Sequence, residues 1–398
     1  MRYSDKVFGL HNLIRGIEDN RPRPQIAIEE IFGAGLVMAL GQLGSLNALE
    51  QIKKQSYWKR WLGADLSSAD TLGRGFSHTG ADSIRKAARH IYSRLKRNKV
   101  LRPAYAGMFA LIIDGHESHH SQLRSCPGCL ERRLHTKSGI KRENYHRHVM
   151  ASLLCKGICL PLDMEPQAPG EDEVSCAARL LVRVFKDYPK AFDLILADGL
   201  YARAPFFKLA KKHGKDVIVV LKDERRDLLK DAKGLFKQEK PIVCQDGKVE
   251  RQCWDIEGFT SWEQLGREIR VVCSMERKRV KRQKTKKIHF ENSEWVWAST
   301  ISKQRLGTED FVKFGHGRWK IENNGFNELV NYWHADHLYC HNPAAIEAFG
   351  LLTMLAYILF HAFINRNLKA VIRHKYTKKH LARMITAEIY PCKNFIPP

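Results

Sequence analysis

A chain of 398 residues is too long for one ordinary domain, and a hydrophobic content of 44% excludes a mainly disordered protein. Lysine and arginine number 67 against 43 aspartate and glutamate residues, which leaves a net charge of +24. This excess favours a polyanionic partner, above all nucleic acid, over a neutral small molecule. A soluble basic protein without such a partner is the alternative.

The cysteines and the apolar stretches indicate where the protein works. Ten cysteines at irregular spacing, after a polar segment at 1–23, favour a reducing compartment. Residues 31–49 contain four glycines plus Gln42 and Asn47, and 348–360 falls short of the roughly 20 residues of a membrane helix. Both stretches predict buried helices. We therefore expect a cytoplasmic protein without membrane contact.

Helical periodicity dominates residues 1–104, which we predict to be a helical DNA-binding region. Ser68 and Asp70 are candidate caps for a short helix. The region ends in a basic helix at 81–99, whose apolar face contains Ile84, Ala88, Ile91 and Leu95. The opposite face carries Arg85, Lys86, Arg89, Arg94 and Lys96. Phosphate contacts by Arg85, Lys86 and Arg89 are one interpretation, and a solvated helix is the other.

Short apolar runs that end in polar or turn residues follow from Tyr105 and are typical of buried strands. In chain order they predict strands at 108–115, 148–155 and 158–166, a helix at 176–188, a strand at 192–199, a helix at 204–212 and a strand at 216–224. This order predicts a mixed α/β sheet, and residues 105–224 form the first part of a catalytic core.

Helical periodicity fades over 225–304, where three segments predict antiparallel strands of a β-rich insertion. The densest positive run, at 277–287, lies within it and is expected in a hairpin tip or loop. Helices return at 308–334 and 343–371. Residues 305–375 are therefore predicted to complete the core with a buried last helix, and 376–398 to form a basic tail.

Three carboxylates are candidates for chemistry. Asp114 ends the first apolar run and Asp198 the fourth, and the ends of strands are where open α/β sheets bind ligands. A glycine follows each aspartate, so a simple turn is the alternative. Glu322 lies on a predicted helix four residues after Arg318, where it is either a metal ligand or half of a surface ion pair.

Three segments, LIIDGHE, LILADGLYARAPF and GRWKIENNGFNELV, resemble in this order the three acidic blocks of DDE transposases of the bacterial insertion-sequence type. The resemblance covers about three quarters of the chain. It implies a ribonuclease H-like core that a β-rich insertion interrupts before the glutamate helix. The related signature has a tyrosine and a lysine where this chain has Gly315 and Leu329. Only Arg318 and Glu322 therefore carry over from that block.

The resemblance also implies an activity. Asp114, Asp198 and Glu322 would hold two Mg²⁺ or Mn²⁺ ions for DNA cleavage at transposon ends and strand transfer into target DNA. The partner would be double-stranded DNA, bound by a homodimer in the nucleoid of a prokaryotic cell. A ribonuclease H-like nuclease that cuts without joining, and a catalytically silent transposase-derived DNA-binding protein, are the alternatives.

DNA-binding residues follow from the same resemblance. Arg318 would orient the glutamate or grip a phosphate, and Trp295 or Trp297 would stack on a displaced base. A buried strand tryptophan is the alternative for each indole. The basic run would contact the backbone phosphates through Arg277, Lys278, Arg279, Lys281 and Arg282, and a solvated loop is the alternative for this run.

Cys126 and Cys129 form a CPGC segment near several histidines. The spacing is half of a zinc knuckle, which requires four ligands. A structural Zn²⁺ ion, redox chemistry and ordinary loop cysteines remain the three interpretations.

Overall fold

The computed structural model describes residues 1–52, 58–59, 63, 65–137, 139–222, 227–247, 249–281, 288–319 and 325–387. The helices of the N-terminal region are α1 (Arg2–Phe8), α2 (Leu10–Arg15), α3 (Ile28–Leu40), α4 (Leu46–Gln51), α5 (Ala69–Phe76) and α6 (Ala81–Arg97). The prediction of a helical region is confirmed. Ser68 caps α5, because its Oγ accepts a hydrogen bond from the Thr71 N–H at 3.3 Å.

The first part of the core alternates strands and helices as predicted. Its elements are β1 (Ala110–Ser121), β2 (Leu130–Thr136), β3 (Gly139–Cys155), β4 (Ile158–Pro166), α7 (Glu173–Asp187), β5 (Leu194–Ala197), a 3₁₀ turn (Gly199–Tyr201), α8 (Ala204–Lys212) and β6 (Asp216–Val220). The sequence analysis did not predict β2, because its side chains are mostly exposed and charged and form no apolar run.

The central strands run in the order β4, β3, β1, β5, β6. Strand β3 is antiparallel to both β1 and β4, whereas β1, β5 and β6 are mutually parallel. Strand β2 pairs with the first part of β3 as an added hairpin. Three antiparallel strands followed by two parallel ones form the ribonuclease H-like arrangement, so the predicted fold class is confirmed.

The segment after β6 contains α9 (Asp227–Phe236), β7 (Ile242–Asp246), β8 (Val249–Phe259), β9 (Ile269–Lys281) and β10 (Ile288–Ser299). It is β-rich as predicted, but α9 was not expected there. Strand β10 pairs antiparallel with β6, with Trp297 opposite Val220. The insertion therefore continues the central sheet. Residues 277–281 of the basic run lie in β9, and the rest of that run lies outside the described residues.

The C-terminal helices are α10 (Thr308–Gly317), α11 (Asn327–Trp333), α12 (Pro343–Arg366), α13 (Ala370–Lys375) and α14 (Lys378–Ala387). Helix α12 packs against α3, α6 and β4 and is buried along most of its length. Among the described residues it is the one helix long and apolar enough to span a membrane, and its burial is that of a core helix. Helix α14 lies within the predicted basic tail.

Candidate active site

Two of the predicted carboxylates belong to neighbouring parallel strands, Asp114 within β1 and Asp198 directly after β5. Ile112 of β1 is paired with Leu196 of β5, and two residues further along each strand are Asp114 and Asp198. Side chains two residues apart share a face, and neighbouring strands are about 4.8 Å apart. This register therefore brings the two carboxylates to the same point of the sheet. Asp114 lies within β1 rather than at its end, because β1 continues to Ser121.

Buried hydrogen bonds orient the Asp114 carboxylate. Arg318 Nη1 donates to Asp114 Oδ2 at 3.1 Å, and the Gly115 N–H donates to Oδ1 at 3.1 Å. Asp114 is 9% exposed and Arg318 5% exposed, so this ion pair is shielded from water. The guanidinium also lies 4.6 Å from the centre of the Trp319 ring. Arg318, predicted to act on Glu322 or a phosphate, thus contacts the first aspartate; Glu322 lies outside the described residues.

Asp198 directly follows β5 and is half-buried. Its Oδ1 accepts a hydrogen bond from the Leu200 N–H at 2.8 Å and caps the 3₁₀ turn. The turn that was the alternative interpretation of this residue is therefore real. It also serves the site, because the cap holds the carboxylate beside the end of the strand.

Glu173 and Tyr201 belong to the same cluster, although the sequence analysis did not single them out. The Tyr201 hydroxyl donates to Glu173 Oε1 at 2.8 Å. Burial raises the pKa of Tyr201, and the nearby charges of Glu173, Asp114 and Asp198 raise this pKa further. Three carboxylates therefore act on one buried phenol. Such a concentration of negative charge is what a divalent cation neutralises.

Gly115 allows Glu173 to approach β1. A Cβ atom at position 115 would lie 2.4 Å from Glu173 Cδ, closer than any van der Waals contact. The first residue of α7 thus packs directly on the strand that carries Asp114. The Asp-Gly dipeptide was the only signal in the sequence, and it does not reveal which side chain fills the space beside the glycine.

Two glycines bring α10 close to the sheet. A Cβ atom at Gly315 would lie 2.5 Å from Trp297 Cε2, and one at Gly317 would lie 2.9 Å from Leu154 Cδ2. Arg318 follows directly and reaches Asp114 because of this close approach. The glycine that replaces the signature tyrosine therefore has a packing reason, since a large side chain at 315 would collide with the indole of Trp297.

A cleft of about 500 Å³ opens at Asp114. It is lined by Asp114, Gly115, His116, Phe326, Asn327, Val330 and Asn331. A larger groove of about 840 Å³ lies on the insertion strands, and neither Asp114 nor Asp198 lines it. The smaller cleft is the relevant one, because it joins the buried carboxylate to the surface beside α11.

The three candidate basic residues of α6 have different surroundings. Arg85 is 7% exposed, with its Nε 2.9 Å from Asp163 Oδ1 and a second ion pair to Glu347. Arg89 forms an ion pair with Asp187, whereas Lys86 is exposed. The guanidinium of Arg85 is therefore engaged within the fold and has no access to a phosphate in this conformation.

The described candidate DNA-binding residues of the insertion lie at or near the surface, except for the buried indole of Trp297. Exposed side chains on β9 include Arg277, Lys278, Arg279 and Lys281, while Arg282 lies outside the described residues. Trp295 is half-buried and stacks on Trp297 with ring centres 6.2 Å apart. Trp297 is 1% exposed and packs against Gly315 of α10. Its buried ring therefore provides the surface on which Trp295 stacks.

The two cysteines of the CPGC segment lie beside histidines from other parts of the chain. The candidate ligand atoms of Cys126, Cys129, His146 and His341 all lie within 4.8 Å of one another. His146 lies on β3 opposite Ser118 of β1, four residues beyond Asp114, and Gly128 of the CPGC segment lies beside Pro343 at the start of α12.

Residues 106–359 match the family model described as the transposase DDE domain. The chain belongs to the DDE transposase domain family. The match includes Asp114, Asp198 and Glu322 together with the whole insertion between β6 and α10. A cryo-EM structure of the piggyBac transposase synaptic complex with hairpin DNA aligns with a TM-score of 0.44 and 12% identity, over 98% of this chain and 79% of that chain. No curated protein matches this DDE transposase.

Proposed function

We propose that this DDE transposase cuts DNA at the ends of a transposon and joins the freed ends to target DNA. The observation that carries the proposal is the register between β1 and β5, which brings Asp114 level with Asp198 beside an open cleft. Family membership supports the same reaction class.

The donor atoms suit a divalent cation. Carboxylate oxygens are the ligands that Mg²⁺ and Mn²⁺ prefer, and Asp114, Asp198 and Glu173 all act electrostatically on the Tyr201 hydroxyl. We assign Asp114 and Asp198 as metal ligands and Glu322 as the third. Two bound ions would supply Lewis-acid stabilisation for in-line attack on a phosphodiester.

Hydrogen bonds within the protein would position two of the three proposed ligands, Asp114 and Asp198, before DNA binds. Arg318 fixes one oxygen of Asp114, and the Leu200 N–H fixes one oxygen of Asp198. Neither carboxylate then has to be ordered when the phosphodiester arrives, which lowers the entropic part of the barrier. The burial of Arg318 strengthens its pairing, because water does not screen it.

The DNA would contact the exposed basic residues of β9 in the insertion. Arg277, Lys278, Arg279 and Lys281 are exposed along β9 and suit a row of phosphates, and Arg282 continues the run. Trp295 is half-buried, with the ring of Trp297 stacked on it, and is the indole that would stack on a base. We further propose that the protein acts as a homodimer on paired transposon ends in the nucleoid of a prokaryotic cell.

The decisive experiment compares strand cleavage by wild type and Asp198→Asn. The substrate is a labelled duplex carrying the terminal repeats that flank the gene, with Mg²⁺ and a supercoiled target. We expect the variant to lose at least about 100-fold in cleavage rate, since a metal site supplies several kcal/mol of charge stabilisation. Equal cleavage by both proteins would refute the assignment.

The matched control is Glu117→Gln, because Glu117 is on the same strand as Asp114 and pairs with Arg132 and Arg147. This variant should keep most of its cleavage activity. Cleaved ends that wild type never joins to the target would instead identify a nuclease without strand transfer.

A further inference from the structure

The CPGC segment folds as a tight turn whose two sulfurs point to the same side. The Cys129 N–H donates to the Cys126 carbonyl at 3.0 Å, and the Cys126 N–H donates to Cys129 Sγ at 3.2 Å. The sulfurs lie 3.8 Å apart, far beyond the roughly 2.05 Å of a disulfide bond. Both thiols are thus free and adjacent, and one already receives a backbone hydrogen bond of the kind that stabilises a thiolate.

His146 of β3 completes three corners of a tetrahedron. Its Nε2 lies 3.3 Å from Cys129 Sγ and 3.5 Å from Cys126 Sγ. A tetrahedral zinc ion, with Zn–S near 2.3 Å and Zn–N near 2.1 Å, requires about 3.8 Å between two sulfurs and about 3.6 Å between sulfur and nitrogen. The three separations agree with this pattern to within a few tenths of an ångström. A single thiol–imidazole hydrogen bond would explain one of the short contacts but not the common geometry.

The fourth ligand of the tetrahedron is His341, which follows the insertion in the sequence. His341 directly precedes Asn342, whose side chain caps α12 by accepting from the Ala344 and Ala345 N–H groups. Within the described part of the chain, His341 Nε2 is buried without a hydrogen-bond partner. A buried nitrogen that lacks a partner is costly unless something else binds it.

The turn and the start of α12 are in direct contact. A Cβ atom at Gly128 would lie 3.1 Å from Pro343 Cγ, so a side chain between the two cysteines would crowd this contact. The packing brings His341 to the sulfurs, and all four ligand atoms lie within 4.8 Å of one another.

We propose that Cys126, Cys129, His146 and His341 bind a structural zinc ion that fastens the β1–β3 end of the sheet to the start of α12. Two thiolates and two imidazoles form the ligand set that selects Zn²⁺ over Mg²⁺. Four protein ligands fill a tetrahedron, so the ion has no open position for substrate. The site is chemically distinct from the oxygen cage at Asp114 and does not depend on the proposed DNA chemistry.

The ion would brace the segment that leads away from the glutamate block. The chain from α11 to His341 is short, and Phe326, which precedes α11, stacks on His116 of β1 with ring centres 4.8 Å apart. Fixing His341 therefore fixes both ends of this segment relative to β1. Loss of zinc should lower the melting temperature and loosen this part of the fold.

The test is the zinc content of the purified full-length protein, measured by mass spectrometry without DNA or added magnesium. We expect about one zinc per chain in wild type and a several-fold loss in Cys129→Ser and in His341→Asn. Matched controls are Cys244→Ser and His119→Asn. His119 is the more stringent of the two, since its ring lies 5.4 Å from that of His341, and both controls should retain the metal.

Cobalt substitution of the wild-type protein provides a second measurement that does not depend on how well a variant folds. The thiolate-to-cobalt charge-transfer band and the intense visible bands of a tetrahedral site should appear at about one equivalent of Co²⁺. Wild type that contains no zinc and gives only the weak spectrum of octahedral cobalt would overturn the proposal. Full zinc content in His341→Asn would overturn the ligand assignment. Neither result would bear on DNA cleavage at Asp114 and Asp198.

Discussion

Arg85 of α6 and the basic residues of β9 both belong to positively charged segments of the sequence but have opposite surroundings. Arg85 of α6 is buried, and the fold brings two carboxylates, Asp163 and Glu347, to its guanidinium. Arg279 and Lys281 of β9 are exposed and lie opposite Phe290 and Ile288 of β10. A basic side chain therefore stabilises the fold where tertiary packing places a carboxylate beside it. A basic side chain that stays exposed to solvent remains available to a phosphate.

Replacing the buried arginine tests the first half of this comparison and should have the largest effect on stability. In Arg85→Met the carboxylates of Asp163 and Glu347 lose a buried partner, so the free energy of unfolding should fall by about 3–5 kcal/mol. Urea denaturation measures the change. The matched control is Lys86→Met at the next, exposed position, which should stay within about 0.5 kcal/mol of wild type. Equal stability of the two variants would contradict the structural role of Arg85.

A buried carboxylate tests the same idea with the opposite charge. Glu328 of α11 accepts from His361 Nε2 and from Lys378 Nζ, each at 2.8 Å, and so ties α11 to α12 and α14. Burial alone would raise the pKa of Glu328, but His361 and Lys378 lower it below its ordinary value. A lowered folded-state pKa means that the stabilisation is present above the unfolded pKa and is lost as the pH falls through the folded value.

Glu328→Gln should therefore unfold more easily than wild type by about 1.5–3 kcal/mol at pH 7, the range for hydrogen bonds to a charged group. The difference should shrink as the pH falls below 4.5, the ordinary value for glutamate. Denaturation curves at several pH values measure it. Glu309→Gln, at an exposed i,i+4 pair with Lys313, is the control and should change little. A difference that grows toward low pH would contradict the account.

Removing two exposed charges of β9 should have the smallest effect on stability and should act on DNA binding instead. The double variant Arg279→Gln and Lys281→Gln should bind a fluorescent duplex about tenfold less tightly, and its salt dependence should fall by up to about 1.8 in log–log slope. Anisotropy titrations over a salt series measure both quantities. Arg89→Gln, at a residue that pairs with Asp187, is the control and should leave the slope unchanged. An unchanged slope in the double variant would remove β9 from the DNA interface.

Patterns local in the chain predicted most of the fold. The first part of β1 and the strands β4, β5 and β6 contain the predicted apolar runs, and Ser68 is a recognisable helix cap. Strand β2 escaped prediction because it has no apolar run, and α9 because all of 225–304 was interpreted as β-rich although its buried residues have helical spacing. Periodicity could not tell that Arg85, on the predicted polar face of α6, would meet acids from β4 and α12.

The candidate site was predictable only in part, for the same reason. Asp114 and Asp198 were found because each follows an apolar run, although β1 continues past Asp114. Glu173 joins them through contact between α7 and Gly115, and His341 reaches Cys129 across the whole insertion. Such convergence depends on tertiary packing, which no spacing in the sequence records.

The central claim is that Asp114 and Asp198 bind the cations that cleave DNA, and a change of metal preference tests it most directly. In Asp198→Cys a thiolate replaces a hard oxygen ligand, which disfavours Mg²⁺ more than Mn²⁺. The ratio of cleavage rates in Mn²⁺ and in Mg²⁺ should rise at least about tenfold over that of wild type. An unchanged ratio in a folded variant that still binds and cuts DNA would contradict a metal-binding role for this carboxylate.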